Sequence, residues 1–241
     1  MCYKSKTYLN RGGLGIIFDM DGVIINTCRL HEMAWKEAAR IYKLLWKNEI
    51  DFKRDVFGTV SSDSARILFD PFLKDYDISQ MCKKKDEIYQ SLLDQNVKDI
   101  VVSGFKPFFE STVEKGIPVA LATSSPSNEA NLVLRNLGIY EYFDAVIDVS
   151  KVQNPKPDPE VYLKACHALG LSPEQCIGFE DSITGIRALD SADVKCIVVG
   201  STLEYERLIH SGVRYELYIP DFTHITLDKL YSRLEALHSY S

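Results

Sequence analysis

The sequence predicts an α/β protein: a doubly wound parallel sheet with an all-helical cap subdomain inserted after its first strand. Two patterns carry this. Short apolar runs rich in Ile and Val alternate with amphipathic stretches, as strands buried on both faces and their crossover helices require. That rhythm breaks between about residues 27 and 100, where helical stripes follow one another with no convincing strand between them.

Taken in order, residues 14–18 form the first apolar run and end at Asp19. The insert then shows a long stripe of Leu30, Ala34, Ala38, Ile41 and Leu45. A second helical piece runs from about 64 to 72, and a third carries Met81, Ile88 and Leu92. The alternation resumes with Phe105, Phe108, Phe109 and Val113 as a helix face, and residues 117–122 as a strand. Ala130, Val133, Leu134 and Leu137 make the next helix face, stopped by Gly138. A strand at 145–149 precedes a helix that opens at Pro159 and closes at Gly170, the expected asymmetry of helix ends. Strands at 176–179, 196–199 and 217–219 complete the sheet. Leu227, Leu230, Leu234 and Leu237 mark a final helix. The boundaries that follow are a Rossmann-like core of residues 1–27 and 101–241, and a helical cap of residues 28–100. An insert there hangs over the carboxyl ends of the strands, where open α/β sheets bind ligands.

Composition limits what this fold does. The chain has 241 residues, 46% hydrophobic and 26% charged, enough to bury a core without covalent staples. A net charge of −6 argues against general nucleic-acid binding. The six cysteines show no metal-binding spacing and read as reduced thiols. The polar, basic N-terminus lacks a secretory signal's apolar core, and no run is long enough to span a bilayer, so a cytoplasmic protein is expected. Oligomeric state is not legible.

Four clusters carry chemistry, each at or after a predicted strand end. Asp19 and Asp21 flank Met20 where the first strand stops, and Gly22 lets the chain leave sharply. Two carboxylates there repel each other and gain no core burial, and a hard divalent cation would relieve them. Thr123, with Ser124 and Ser125, ends the strand at 117–122, where hydroxyls and N–H groups suit phosphate oxygens, although such residues also cap helices. Lys156 stands between Pro155 and Pro157, which stiffen its backbone. Glu180 and Asp181 follow the strand at 176–179, although an acid there can equally cap the next helix. Nucleophile, proton donor, hydroxyl, cation and metal ligands make a phosphoryl-transfer inventory.

Asp19–Val23 (DMDGV), Thr123, the KPDP at 156–159 and the GFEDS at 178–182 resemble, in order, the motifs of the haloacid dehalogenase (HAD) superfamily. His31 followed by Trp35, the Lys85–Tyr89 spacing and the late PDFTHITLDKL resemble its β-phosphoglucomutase-like, small-helical-cap members. The resemblance implies Asp19 as a covalent nucleophile and Asp21 as general acid, then base. It implies Mg2+ held by Asp19, the Asp21 carbonyl and Asp181, with Glu180 orienting a metal-bound water. Thr123 would hold the transferring phosphoryl group, Lys156 would reduce the repulsion between Asp19 and the phosphate, and Ser124, His31, Lys85 and Trp35 would meet substrate. The expected activity is hydrolysis of a small phosphorylated metabolite, a sugar phosphate, through an aspartyl-phosphate. The alternative is a β-phosphoglucomutase-type isomerase, and a third reading is a non-catalytic phosphometabolite sensor. A mutase grips a second, remote phosphate with fixed cations. Ser61 stands where the resembling mutases carry a cap arginine, and Pro126 and Ser127 stand where they carry a Lys-Asn pair.

Overall fold

The structure is a computed structural model and describes residues 13–47, 49–57, 59, 61–70, 73 and 78–238. The basic N-terminal segment, the far end of the helical piece expected to reach residue 72, and the side chain of Leu237 lie outside the described residues. Chain contacts divide the molecule into two compact units. One holds the chain up to Asn26 and from Val101 onward; the other is Thr27–Ile100.

The first unit is built on a six-stranded sheet of β1 (Gly15–Phe18), β2 (Val119–Ala122), β3 (Ala145–Ile147), β4 (Cys176–Glu180), β5 (Lys195–Val199) and β6 (Leu217–Ile219). The strands are parallel in the order β3-β2-β1-β4-β5-β6. The order reverses beside β1, which pairs Phe18 with Leu121 on one side and with Phe179 on the other. Period-two alternation sends Ile17 into a cluster with Ala120, Tyr162, Ile186 and Val198. Its neighbour Phe18 goes to the opposite face, into aromatic contact with Phe105, Phe179 and Phe222.

Two strands are shorter by two residues than the sequence suggests. Pro118 has no N–H to donate, and the strand starts after it, although its carbonyl accepts from Ile16 N at 3.0 Å. Asp148 ends β3 because its carboxylate accepts from Ser150 N at 2.9 Å and turns the chain into a short 3₁₀ segment, Val149–Lys151.

The second unit holds α1 (Cys28–Tyr42), α2 (Phe52–Asp55), α3 (Ser61–Phe69) and α4 (Ile78–Asn96), with α1 packed along α4. Trp35, Ala38, Phe52, Leu68, Phe69 and Met81 form its core. The expected stripe reaches only to Ala38. Lys43 takes a left-handed conformation at φ 54 and ends α1, which leaves Ile41 exposed and Leu45, 69% exposed, beyond the helix. The short α2 gave no periodic signal; the Asp51 side chain caps it by accepting from Arg54 N at 3.0 Å.

The remaining helices belong to the first unit: α5 (Phe105–Glu114), α6 (Ser127–Asn136), α7 (Glu160–Leu169), α8 (Ile183–Ser191), α9 (Tyr205–His210) and α10 (Leu227–His238). Of these, α9 was not anticipated. No helix among the described residues is long and apolar enough to cross a membrane.

Candidate active site

All strands run in parallel, so residues that follow β1, β2, β4 and β5 emerge at one edge of the sheet. Asp19 follows β1 directly, and its N–H donates to the Phe179 carbonyl at 3.0 Å. The chain then turns tightly on the Met20 carbonyl, which accepts from Ile24 N at 2.9 Å and Ile25 N at 3.1 Å. Gly22 makes the turn at φ 77. A Cβ there would also overlap the Asp181 carboxylate, so glycine is required twice over.

Lys156 is the hub. Its ammonium donates to Asp19 Oδ1 at 2.6 Å, to Glu180 Oε1 at 2.7 Å and to the Ala122 carbonyl at 3.2 Å, which joins the ends of β1, β2 and β4. The Tyr162 ring lies 4.8 Å below it. Glu180 is the anchor for this lysine. Besides Lys156, its Oε1 accepts from Tyr162 Oη at 2.9 Å. Its Oε2 accepts from Asp181 N and Ser182 N at 2.8 Å and from Ser182 Oγ at 3.0 Å. Both oxygens of the carboxylate expected to orient a water are thus occupied by protein donors.

The remaining motif residues are also here. Thr123 is buried, and its Oγ1 accepts from Ser125 N at 3.0 Å. Ser125 Oγ donates to Asp21 Oδ2 at 2.8 Å, while Ser124, put forward from sequence, is exposed. Asp181 Oδ2 accepts from Thr202 Oγ1 in the loop after β5.

Charge is unevenly balanced at this edge. Burial works against the Lys156 cation, but Asp19 and Glu180 outweigh it and hold its pKa above the ordinary lysine value. Burial also pushes Glu180 up, and Lys156, Ser182 and Tyr162 reverse that and hold it low. Asp19 and Asp181 are different. Burial raises Asp19 despite Lys156, with Glu180 and Asp21 adding repulsion. Burial, then the Glu180 and Asp19 charges, raise Asp181. Three buried carboxylates and the half-buried Asp21 thus gather at this edge, where the Lys156 ammonium is paired to Asp19 and Glu180. Among the described residues no three His, Cys, Asp or Glu side chains form a ready metal cage. The excess negative charge on an all-oxygen donor set nonetheless fits a hard divalent cation.

The other sequence candidates cluster in the helical unit. Lys85, 3% exposed, donates to His31 Nδ1 at 3.0 Å and to Asp86 Oδ1 at 3.2 Å. Its ammonium lies 5.6 Å from the Trp35 ring and 5.2 Å from Tyr89, and His31 stacks on Tyr89 at 4.0 Å. Trp35 is 2% exposed and packs on Phe69, which leaves it little surface for a ligand.

Sequence reasoning overlooked Tyr162, Ser201 and Thr202, and named Ser125 beside Thr123 without foreseeing its contact with Asp21. The strand-end rule that found Asp19, Thr123 and Glu180 would have found Thr202 had it been applied to the polar GST that follows the apolar run at 196–199. Tyr162 gave no such signal, because it sits on the buried face of α7.

A parallel sheet with acids and one lysine gathered at its carboxyl edge defines an α/β enzyme with a charged catalytic edge. Residues 14–193 match the model of the haloacid dehalogenase-like hydrolases. The chain is 34% identical over 204 residues to a phosphorylated carbohydrates phosphatase of Thermotoga maritima, covering 82% of this chain and 90% of that protein. It is 31% identical to a fructose-1-phosphate phosphatase of Escherichia coli, covering 76% of this chain and 97% of the other. Its fold superposes on a β-phosphoglucomutase from Clostridium difficile with a TM-score of 0.72 at 27% identity, covering 93% and 98% of the two chains. The chain belongs to the haloacid dehalogenase-like hydrolase family and is an enzyme of the hydrolase class.

Proposed function

We propose that this hydrolase removes the phosphate from a small phosphorylated metabolite of the sugar-phosphate class, with Asp19 as covalent nucleophile. The observation that carries the reading is the buried Asp19–Lys156–Glu180 chain. A fixed ammonium beside the nucleophile offsets the repulsion between a carboxylate and an anionic phosphate, and Glu180 keeps that ammonium in place. Asp19 attacks phosphorus and forms an aspartyl-phosphate while the leaving oxygen takes a proton from Asp21; Asp21 then takes a proton from the attacking water. Ser125 holds one Asp21 oxygen, and the Thr123 hydroxyl and neighbouring N–H groups receive the phosphoryl oxygens. Mg2+, held by Asp19, Asp181 and the Asp21 carbonyl with Glu180 beside them, would supply charge neutralisation at the phosphoryl group. Ser124 and the His31–Lys85 pair are assigned to substrate. The core of residues 1–27 and 101–241 carries the chemistry and the cap of residues 28–100 the selectivity. Cytoplasmic residence follows the same reading and accords with the free cysteines.

Both curated relatives named above are phosphatases by name. The isomerase reading draws on the superposed mutase, but Ser61, Pro126 and Ser127 provide no cation for a remote phosphate.

The test is phosphate release from a panel of phosphorylated sugars and polyols with Mg2+, with Asp19→Asn as control. Release by wild type and none by Asp19→Asn is expected. Conversion of β-glucose 1-phosphate to glucose 6-phosphate without free phosphate, given catalytic glucose 1,6-bisphosphate, would establish the isomerase instead.

A further inference from the structure

The loop after β5 reaches the acidic edge and is tied to it at three points. Ser201 Oγ donates to the Gly22 carbonyl, and Asn26 Nδ2 donates to the Ser201 carbonyl at 3.2 Å. Thr202 Oγ1 donates to Asp181 Oδ2. The first two ties fix the loop to the turn that carries Asp21, so the Thr202 hydroxyl is delivered from a braced backbone. Asp181 needs such a partner: it is buried and repelled by Glu180, Asp19 and Asp21. Gly22 also lies against Oδ2, and any side chain there would collide with the carboxylate. The Oδ2 end of the carboxylate is therefore enclosed by a bare Cα and one hydroxyl.

From this enclosure we infer that Thr202 is a positioning residue for Asp181, holding the carboxylate by Oδ2 in the orientation in which it receives the divalent cation. The inference rests on the proposed Mg2+ reading of the site. A hydroxyl has one proton to give, and spending it on Oδ2 leaves Oδ1 outside that bond. Partners of metal-binding carboxylates set affinity because they fix ligand orientation before the cation arrives.

The test is calorimetric titration of Mg2+ into the full chain, comparing wild type, Thr202→Val, Thr202→Ser and, as control, Asp181→Asn. Valine keeps the shape and removes the hydroxyl; serine keeps the hydroxyl. Thr202→Val is expected to weaken Mg2+ binding about 10–100-fold, with Thr202→Ser close to wild type and the metal-free melting temperature of Thr202→Val lowered only slightly. Wild-type affinity in Thr202→Val would overturn the inference, as would equal losses in the valine and serine variants. A Thr202→Val chain that melts far below wild type without Mg2+ would overturn it too, because the hydroxyl would then be holding the fold. If wild type binds no Mg2+, the magnesium reading fails and takes this inference with it; if wild type binds and only the Thr202 contrast is absent, this inference fails alone.

Discussion

Lys85 Nζ lies 3.0 Å from Nδ1 of His31, and because an ammonium can only donate, that contact makes Nδ1 the acceptor and puts the His31 proton on Nε2. The neighbouring Tyr89 ring, stacked at 4.0 Å, fixes the plane of the imidazole. One tautomer and one ring orientation are thereby selected inside the helical unit.

A pH dependence follows. Burial first, then the Lys85 charge, lower the His31 pKa to about 3, against an unfolded value near 6.5. The unfolded chain therefore binds more protons between those values. Stability from this group is complete above about pH 6.5 and declines as pH falls toward 3, by at most about 1.4 kcal/mol per pH unit. Urea unfolding at pH 7.5, 6 and 5 should show a smaller acid loss in His31→Asn, which keeps an acceptor but does not titrate. Equal losses in the two chains would contradict the assignment.

Lys156 should matter for both fold and chemistry. Replacing it by Met leaves Asp19 and Glu180 buried without their cation, at a cost of about 3–5 kcal/mol. Phosphate release should fall about 10²–10³-fold. Adding Glu180→Gln to Lys156→Met should recover part of the stability and none of the activity, as read by melting temperature and kcat.

Ser125 and Asp21 should differ in degree. Asp21→Asn removes the proposed acid and should lower kcat by about 10²–10⁴-fold. Ser125→Ala removes only the hydroxyl held at 2.8 Å from Asp21 Oδ2, so its loss should be smaller and confined to kcat. A Ser125→Ala enzyme with unchanged kcat and raised KM would place this serine on the substrate instead.

Gly22→Ala tests the turn. The positive φ alone costs an alanine about 1–2 kcal/mol, and the added methyl would strike the Asp181 carboxylate. Both melting temperature and Mg2+ affinity should drop. Gly170→Ala is the control: it is left-handed at φ 69 but has open space around it, so its loss should appear in melting temperature alone.

Much of this was legible before the structure. Strand-end positions carry chemistry because parallel strands deliver their carboxyl ends to one edge, and Asp19, Thr123 and Glu180 could be found from that rule. Helix ends set by side-chain caps or left-handed residues were less visible: the end of α1 at Lys43 and the start of α2 at Asp51 leave no mark in hydrophobic periodicity. Adjacent hydroxyls look alike in sequence, and only the turn's direction decides that Ser125 meets Asp21 while Ser124 is exposed.

The sequence alone determined the class of fold and the family, and it proposed the reacting groups, since these depend on alternating hydrophobicity and on residue types at strand ends, both local properties. Tertiary structure decided the partnerships: Lys156 with both Asp19 and Glu180, Tyr162 beneath that lysine, Ser125 on Asp21, and Thr202 on Asp181. Apart from Tyr162, which is close to Lys156 in the chain, these pairs lie between 21 and 137 positions apart. Which charge meets which hydroxyl across such a separation is set by strand order and by the packing of the loops, and no local pattern encodes it.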